Sequence, residues 1–245
     1  MIKKSLSLAL CTALLGICLS GCVVINFSPS QSVMGEGNLE SFRYEVGEIT
    51  DVRVEIFCDI NFYSGQSGSV TLEMQPNLAE YITVEESGGV LTVRARSNIA
   101  MSYKTPILSI SAPSLKSLSF SGAGTFTAYD KITADAFSLT MDGAGRGKAE
   151  FDVGSIDVAM SGAGNLELSG KADTAGFKMS GAGKLDALAM QTRDATVNMS
   201  GVGTVSLSCS DTLRINADGL GTVQYRGSPA IQQTNDGLVS IKKVD

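Results

Sequence analysis

Hydrophobic and polar residues alternate along much of the chain after residue 40. From Val52 to Phe62 every second residue is apolar, and the residues between them include Arg53 and Glu55. A period of two is typical of a β-strand with one buried face. Turn-forming residues such as Gly88-Gly89 and Pro113 separate these runs. The pattern predicts an all-β chain built from many short strands.

The second half of the chain repeats a Gly-x-Gly triplet at steps of 18 to 21 residues. The first glycines of the six triplets are Gly122, Gly143, Gly162, Gly181, Gly201 and Gly219. This step suits one coil of a parallel β-solenoid and is too short for a propeller blade or a helical repeat. We therefore predict a parallel β-helix, or β-solenoid, with coils of about 20 residues and Gly-x-Gly repeats over residues 115–227.

Alignment of the coils on the first glycine predicts which side chains point inward. Positions two and four residues before that glycine, and four and six after it, are mostly apolar and share one even register. The column two residues before the glycine is Phe120, Met141, Met160, Met179, Met199 and Ala217. Similar residues stacked in this way form a continuous core. Both glycines share the inward register, which predicts walls too close for a side chain or a backbone with positive φ.

The odd register of the triplets carries small residues that we expect to face solvent. The first of these columns is Ser121, Asp142, Ser161, Ser180, Ser200 and Asp218. The second column is Ala123, Ala144, Ala163, Ala182, Val202 and Leu220. Together they would form a flat strip, named here the small-residue ribbon. Two interpretations stay open: the ribbon is a binding surface, or small residues are simply what a tight corner tolerates.

The first 21 residues have the pattern of a signal peptide. Lys3 and Lys4 precede an apolar stretch over residues 6–19 that is too short to span a bilayer comfortably. The following Leu19-Ser20-Gly21-Cys22 resembles the lipobox of bacterial lipoproteins, in which the cysteine thiol is acylated before cleavage. We expect a signal peptide over 1–21, lipid attachment at Cys22, a tether over 22–40 and a folded domain over 41–245.

Several acyl chains on one residue anchor a protein stably, so Cys22 would hold the protein to a membrane without a spanning segment. Val23 and Val24 follow it, with no acidic residue. By resemblance to Gram-negative lipoproteins, this favours the outer membrane. The expected location is thus the cell envelope.

Charge and composition narrow the available chemistry. Loss of Lys3 and Lys4 with the signal would take the formal net charge from −6 to −8, which argues against a nucleic-acid partner. The chain has no histidine, which excludes a Ser-His-Asp triad and a histidine-ligated zinc site. Cys58 and Cys209 remain after processing, and we expect both to be buried thiols. No metal or cofactor is expected.

A carbohydrate-active enzyme, either a polysaccharide lyase or a glycosidase, is the main alternative to a non-enzymatic function. Such enzymes need carboxylates, and five lie near predicted turns: Asp130, Asp152, Asp157, Asp173 and Asp186. The regular coil steps leave no long inserted loop to build a groove, and these carboxylates do not recur at equivalent positions. A convex solenoid without a groove would favour binding, or a purely structural role as an envelope spacer.

Several segments together resemble the head GIN domain of auto-transporter adhesins, over about residues 41–240. They are the alternating strand at 52–60, Asn77-Leu78 with Tyr81-Ile82, residues 88–93, residues 112–118, the recurring Ser-Gly-Ala-Gly, and Gly227-Ser228-Pro229 followed by Gly237-Leu238-Val239. The resemblance implies a right-handed β-helix-like domain exported to the envelope, with adhesion as the function and no catalytic residues. A glycan, an envelope protein or a second copy would be the partner.

Overall fold

The computed structural model describes residues 31–96 and 99–245, so the predicted signal peptide and Cys22 lie outside the described residues. The described chain forms 19 strands and one short helix. In chain order they are β1 (Gln31–Met34), β2 (Glu40–Glu45), β3 (Asp51–Val54), β4 (Asp59–Ser64), β5 (Ser69–Met74), α1 (Pro76–Ala79), β6 (Ile82–Ser87), β7 (Val90–Ala95), β8 (Ile99–Ser102), β9 (Ile107–Ala112), β10 (Ser117–Phe120), β11 (Ala123–Ala128), β12 (Ile132–Met141), β13 (Ala144–Met160), β14 (Ala163–Met179), β15 (Ala182–Met199), β16 (Val202–Ala217), β17 (Leu220–Arg226), β18 (Ala230–Asn235) and β19 (Leu238–Lys243).

The strands wind into a β-solenoid of about 7 turns whose parallel coils contain about 19 residues each. This confirms the predicted fold class. Residues at equivalent positions of successive coils pair in register, as Ala163 with Ala182 and Met160 with Met179 illustrate. The Gly-x-Gly triplet forms one corner, and a second corner, named here the return corner, follows residues such as Ala149 and Leu168.

The predicted inward columns form the core. The methionine column is buried from Met141 through Met199, as is the column containing Leu139 and Phe177. Aromatic rings fill the wider part of the interior, where Phe137 and Phe151 lie 4.9 Å apart between ring centroids. Burial of such side chains is the main favourable contribution to folding. Cys58 and Cys209 are both buried free thiols, as the sequence predicted.

The order of the coils along the solenoid differs from their order in the sequence. Strands β3 and β4 lie between the coil formed by β7 and β9 and the coil formed by β10 and β11. Val52 therefore pairs with Leu91 on one side and with Leu118 on the other. This insertion brings residues that are about 66 positions apart in sequence into adjacent coils, as the pairing of Phe126 with Ile60 illustrates.

The end of the solenoid formed by β7 and β9 is covered by antiparallel strands. Strand β5 pairs with β9 and β2 pairs with β5, while β6 pairs with β7. The side chain of Leu78, in α1, is fully buried beneath this cover. A terminal repeat needs such a cap because its open side would otherwise expose the core.

Part of the segment predicted as a tether is folded. Strand β1 pairs in parallel with β8, and Val33 packs against the core. The Asn77 side-chain amide donates a hydrogen bond to the Met34 carbonyl oxygen at 2.8 Å. The Ser- and Gly-containing sequence of this segment did not predict a strand, because only a short apolar stretch around Val33 contacts the core.

The glycines at the triplet corner are required by the neighbouring backbone rather than by the core. A Cβ on Gly181 would overlap the carbonyl oxygen of Gly162 in the preceding coil, and a Cβ on Gly162 would overlap that of Gly143. This close approach is one of the two reasons for glycine that the sequence predicted, and the close neighbour is the backbone of the preceding coil. The second glycine, Gly183, has a φ of 144°, which side-chain-bearing residues rarely adopt.

Candidate binding groove

The small-residue ribbon lies on the surface of the triplet corner. Its serine and aspartate column is exposed, and the alanine column is exposed from Ala144 onward, with Ala123 half-buried. Register pairing aligns Ala144, Ala163 and Ala182 directly along the solenoid. The Ser161 hydroxyl donates a hydrogen bond to the Asp142 carboxylate in the neighbouring coil.

The ribbon changes character toward the C-terminal coils. Val202 and Leu220 continue the alanine column and remain about half exposed, and Leu238 pairs with Leu220 in the last coil. The strip therefore becomes more apolar toward this end. Its short side chains present few groups that could select a ligand.

A concave surface lies at the return corner. It is a groove of about 1060 Å³ that runs across the coils from β12 to the loop after β17. Its polar lining residues are Asp152, Lys171, Asp173, Gln191, Thr192, Arg193, Ser208, Ser210, Arg226 and Ser228. Two of these, Asp152 and Asp173, were candidates from the sequence, which predicted no groove. The register between neighbouring coils shifts from Ala187 to Gln191, beside residues that line the groove.

A ladder of paired polar residues runs along the groove. Asp152 pairs with Lys171, Lys171 with Gln191, and Gln191 with Ser208, each in the adjacent coil. Ser208 then pairs with Arg226. The Lys171 ammonium lies 3.2 Å from the Asp152 carboxylate. Alignment of the sequence on this corner, instead of on the glycines, would have placed these residues in one column.

Two arginines add positive charge to the groove. The Arg193 Nε lies 3.1 Å from the Asp194 carboxylate, and neighbouring carboxylates, Asp194 first and Asp173 also, raise the pKa of its guanidinium. The Arg226 guanidinium donates hydrogen bonds to the main-chain oxygen of Asp245 at 2.9 Å and to that of Leu188 at 3.4 Å. These contacts orient the arginines while leaving both side chains at the surface.

The floor of the groove is closed by buried polar groups that are already satisfied. The Thr192 hydroxyl donates to the Ser208 carbonyl oxygen at 2.5 Å, and the Ser208 hydroxyl donates to the Leu188 carbonyl oxygen at 2.6 Å. The Cys209 thiol contacts the Arg193 carbonyl oxygen at 3.2 Å, and burial raises its pKa. A thiol held in its neutral form is a poor nucleophile, so Cys209 serves here as a packing residue.

The five carboxylates considered for catalysis do not all come together. Asp152 and Asp173 both line the groove, together with Lys171 and Arg193. They do not occupy equivalent positions of adjacent coils, since Asp152 pairs with Lys171. Asp157 lines a smaller cleft of about 600 Å³ beside Lys116. The other two lie elsewhere: Asp130 accepts a hydrogen bond from the Ser64 amide at 2.9 Å, and Asp186 pairs with Lys184 at 2.6 Å.

The described residues contain no cluster of three or more acidic, cysteine or histidine side chains arranged to hold a metal ion. None of the helices among them has the length and apolarity needed to cross a bilayer. Cys22 and the signal peptide stay predictions, because they lie outside the described ranges.

A known family model covers most of the solenoid. The model described as "Putative auto-transporter adhesin, head GIN domain" matches residues 49–229. Among curated proteins, none matches this sequence.

Several solved structures share the fold. A putative adhesin from Bacteroides fragilis superposes with a TM-score of 0.83 at 20% identity, covering 86% of this chain and 100% of that one. A protein from Parabacteroides distasonis described as a putative lipid binding protein superposes with a TM-score of 0.69 at 21% identity, covering 87% of this chain and 100% of that one. A putative adhesin from Parabacteroides merdae superposes with a TM-score of 0.61 at 18% identity, covering 87% of this chain and 99% of that one. At these identities the likeness extends to the fold alone.

Proposed function

Because the chain belongs to the head GIN domain family of auto-transporter adhesins, we propose that it is a non-enzymatic adhesin-like protein of the cell envelope that binds a glycan in the return-corner groove. Cys22 would anchor it to the outer membrane through its lipid. The observation that carries the proposal is the groove itself, where carboxylates, cations, an amide and hydroxyls line one concave surface.

The chemistry of the groove suits a ligand rich in hydroxyl groups. Carboxylates and hydroxyl oxygens accept hydrogen bonds, while Lys171, Arg193 and Arg226 donate them. Charges of both signs line the groove, and Asp152 and Asp173 interrupt any continuous basic track for a polyanion such as nucleic acid. A polar ligand can be held by few well-placed groups when the site is concave and largely pre-formed.

The ribbon supports a competing location for the binding site. It is exposed, flat and aligned along the solenoid, but it offers short side chains and an increasingly apolar column. A flat protein partner would suit it better than a glycan. An experiment must therefore separate the groove from the ribbon.

The test is binding of the purified acylation-free domain to a printed array of neutral, amino and acidic oligosaccharides. A groove variant, Lys171→Ala with Arg193→Ala, should lose binding, because it removes two hydrogen-bond donors from the site. The exposed ion pairs lost in this variant contribute little to stability, so it should remain folded. A ribbon variant, Ala163→Arg, is the matched control and should bind like the wild type.

Failure of the wild type to bind any oligosaccharide on the array would reject glycan binding. Loss of binding in Ala163→Arg with retention in the groove variant would move the site to the ribbon. Each result is read against thermal melting of the same variants, so that unfolding is not mistaken for loss of a contact.

The groove also favours one second candidate, a glycosidase or polysaccharide lyase. Asp152 and Asp173 share the groove with Lys171 and Arg193, which is the residue set such enzymes use. Asp152, however, is already engaged in an ion pair with Lys171. New reducing or unsaturated ends released from a bound oligosaccharide, and lost in Asp152→Asn, would establish this enzyme and overturn the non-enzymatic proposal.

A further inference from the structure

Two tyrosines form an exposed stacked pair at the surface of the early coils. The rings of Tyr63 and Tyr129 are nearly parallel, at 2°, with their centroids 5.0 Å apart. Tyr129 is 61% exposed and Tyr63 is 39% exposed, which is unusual for large aromatic side chains. The centroid separation is close to the spacing of about 4.8 Å between adjacent strands, so the rings stack along the solenoid axis.

The pair is held rigidly by the backbone around it. The Tyr129 amide donates to the Phe62 carbonyl oxygen at 2.9 Å, and the Asp130 carboxylate accepts from the Ser64 amide at 2.9 Å. On the other side, the Lys131 ammonium lies 3.0 Å from the Glu150 carboxylate. A ring that is fixed before binding loses little conformational entropy when a ligand stacks on it.

Register places the tyrosine pair in line with the edge of the groove. Thr127 pairs with Lys148, so Tyr129 occupies the column that continues through Glu150 in the next coil. Glu150 pairs with Ser169, and Ser169 pairs with Ala189, which lines the groove. Five coil steps of about 4.8 Å separate Tyr129 from Arg226, a distance of about 24 Å along the surface.

One face of the Tyr129 ring is covered by Tyr63, and the 61% exposure of Tyr129 leaves much of the rest of the ring open to solvent. Glu150, in an ion pair with Lys131, comes first in the column from Tyr129 to the groove, and Ser169 and Ala189 follow with short side chains. A ligand lying along the column would therefore meet an aromatic wall at one end and hydrogen-bonding groups at the other. Aromatic rings with polar tips suit ligands that combine apolar and polar surface.

From this arrangement we infer that Tyr129, supported by Tyr63, is a sugar-stacking subsite that extends the groove and selects an oligosaccharide several residues long. The inference rests on the proposed glycan-binding function. A pyranose ring presents an apolar C–H face to an aromatic ring and hydroxyl groups at its edges, so one extended glycan can use both ends of the site.

The experiment is calorimetric titration with the oligosaccharide that binds the wild-type domain most strongly on the array. Tyr129→Ala should weaken binding about three- to tenfold, which is the range that an aromatic contact is worth. Tyr129→Phe should bind like the wild type, because the ring face is retained. A purely structural cross-strand pair would change the melting temperature in Tyr129→Ala without changing affinity.

The possible outcomes separate this inference from the proposed function. Wild-type affinity in Tyr129→Ala, together with loss of binding in the Lys171 and Arg193 double variant, would overturn the stacking subsite and leave the groove as the glycan site. An equal loss in Tyr129→Phe would assign the effect to the hydroxyl group and overturn stacking. Absence of any glycan binding by the wild type would overturn the proposed function itself.

Discussion

The carbonyl oxygen of Gly162 occupies the space into which a Cβ on Gly181 would project. The same relationship links Gly143 to Gly162 and Gly181 to Gly201. The coils at this corner are in backbone contact, so the recurrent first glycine is a requirement of the stacking. The adjacent Ala182 also contacts the Gly162 carbonyl oxygen, but through its amide at 3.0 Å, while its residue is exposed; it allows a direct comparison.

Replacement of Gly181 by alanine should destabilise the domain by roughly 1–3 kcal/mol or more, which is the usual cost of overpacking. The new methyl group would meet a backbone carbonyl that cannot move aside. Urea-induced unfolding measures the change. Ala182→Ser, one residue along on the exposed ribbon, should stay within about 0.5 kcal/mol of the wild type. A harmless Gly181→Ala would show that the coils at this corner are not in backbone contact.

Replacement of Met179 by aspartate should unfold the domain or lower its melting temperature severely. Met179 is fully buried in the methionine column, where an unpaired carboxylate has no partner. Circular dichroism during heating measures the effect. Lys178→Asp is the matched control, since Lys178 is exposed on the opposite face of the same strand. Equal melting temperatures for Met179→Asp and Lys178→Asp would contradict the inward register.

The domain should lose stability in alkaline solution because the Cys58 thiol is buried. Burial, with a smaller effect from the Asp59 carboxylate, raises the pKa of this thiol to about 12. An unfolded cysteine ionises near a pKa of roughly 8.5. The contribution of the Cys58 thiol to stability is therefore complete below the pKa of the unfolded thiol. It is lost progressively as the pH rises toward the pKa of the folded thiol. Urea melts at pH values between these two pKa values should show that the free energy of unfolding falls as the pH rises. The fall should be shallower in Cys58→Ala than in the wild type.

Thiol labelling gives an independent check on the same residue. In the folded acylation-free domain, a thiol reagent at neutral pH should leave Cys58 unmodified, because the reactive thiolate is disfavoured and the side chain is inaccessible. Both Cys58 and Cys209 should react once the protein is unfolded in urea. Rapid labelling of Cys58 in the native state would contradict its burial.

Replacement of Cys22 by alanine should move the protein from the membrane to the soluble fraction or leave an uncleaved precursor. The thiol is the predicted acylation site, and the lipid would be the only membrane signal left after processing. Fractionation with immunoblotting measures the distribution and the size of the product. A mature-length Cys22→Ala protein that still sediments with membranes would refute lipid attachment at this residue.

The repeat is sufficient to define the solenoid and its interior. A period of two combined with a constant step leaves one register in which the apolar residues of all coils can stack, and this register places Met141 through Met199 in the core. The same logic identifies the exposed ribbon, because neighbouring positions on a strand must face opposite ways. It predicts a close approach at the first glycine, but only the structure shows that the close neighbour is the backbone of the preceding coil.

The positions of the groove and the tyrosine pair arise only in the folded chain. Tyr63 and Tyr129 are far apart in sequence, and they meet because β3 and β4 insert between coils that would otherwise be adjacent. The pairing partner of a strand is chosen by backbone hydrogen bonds and packing across coils, which a local pattern does not encode. The groove likewise is lined by residues from several coils, and this geometry exists only when the coils are stacked.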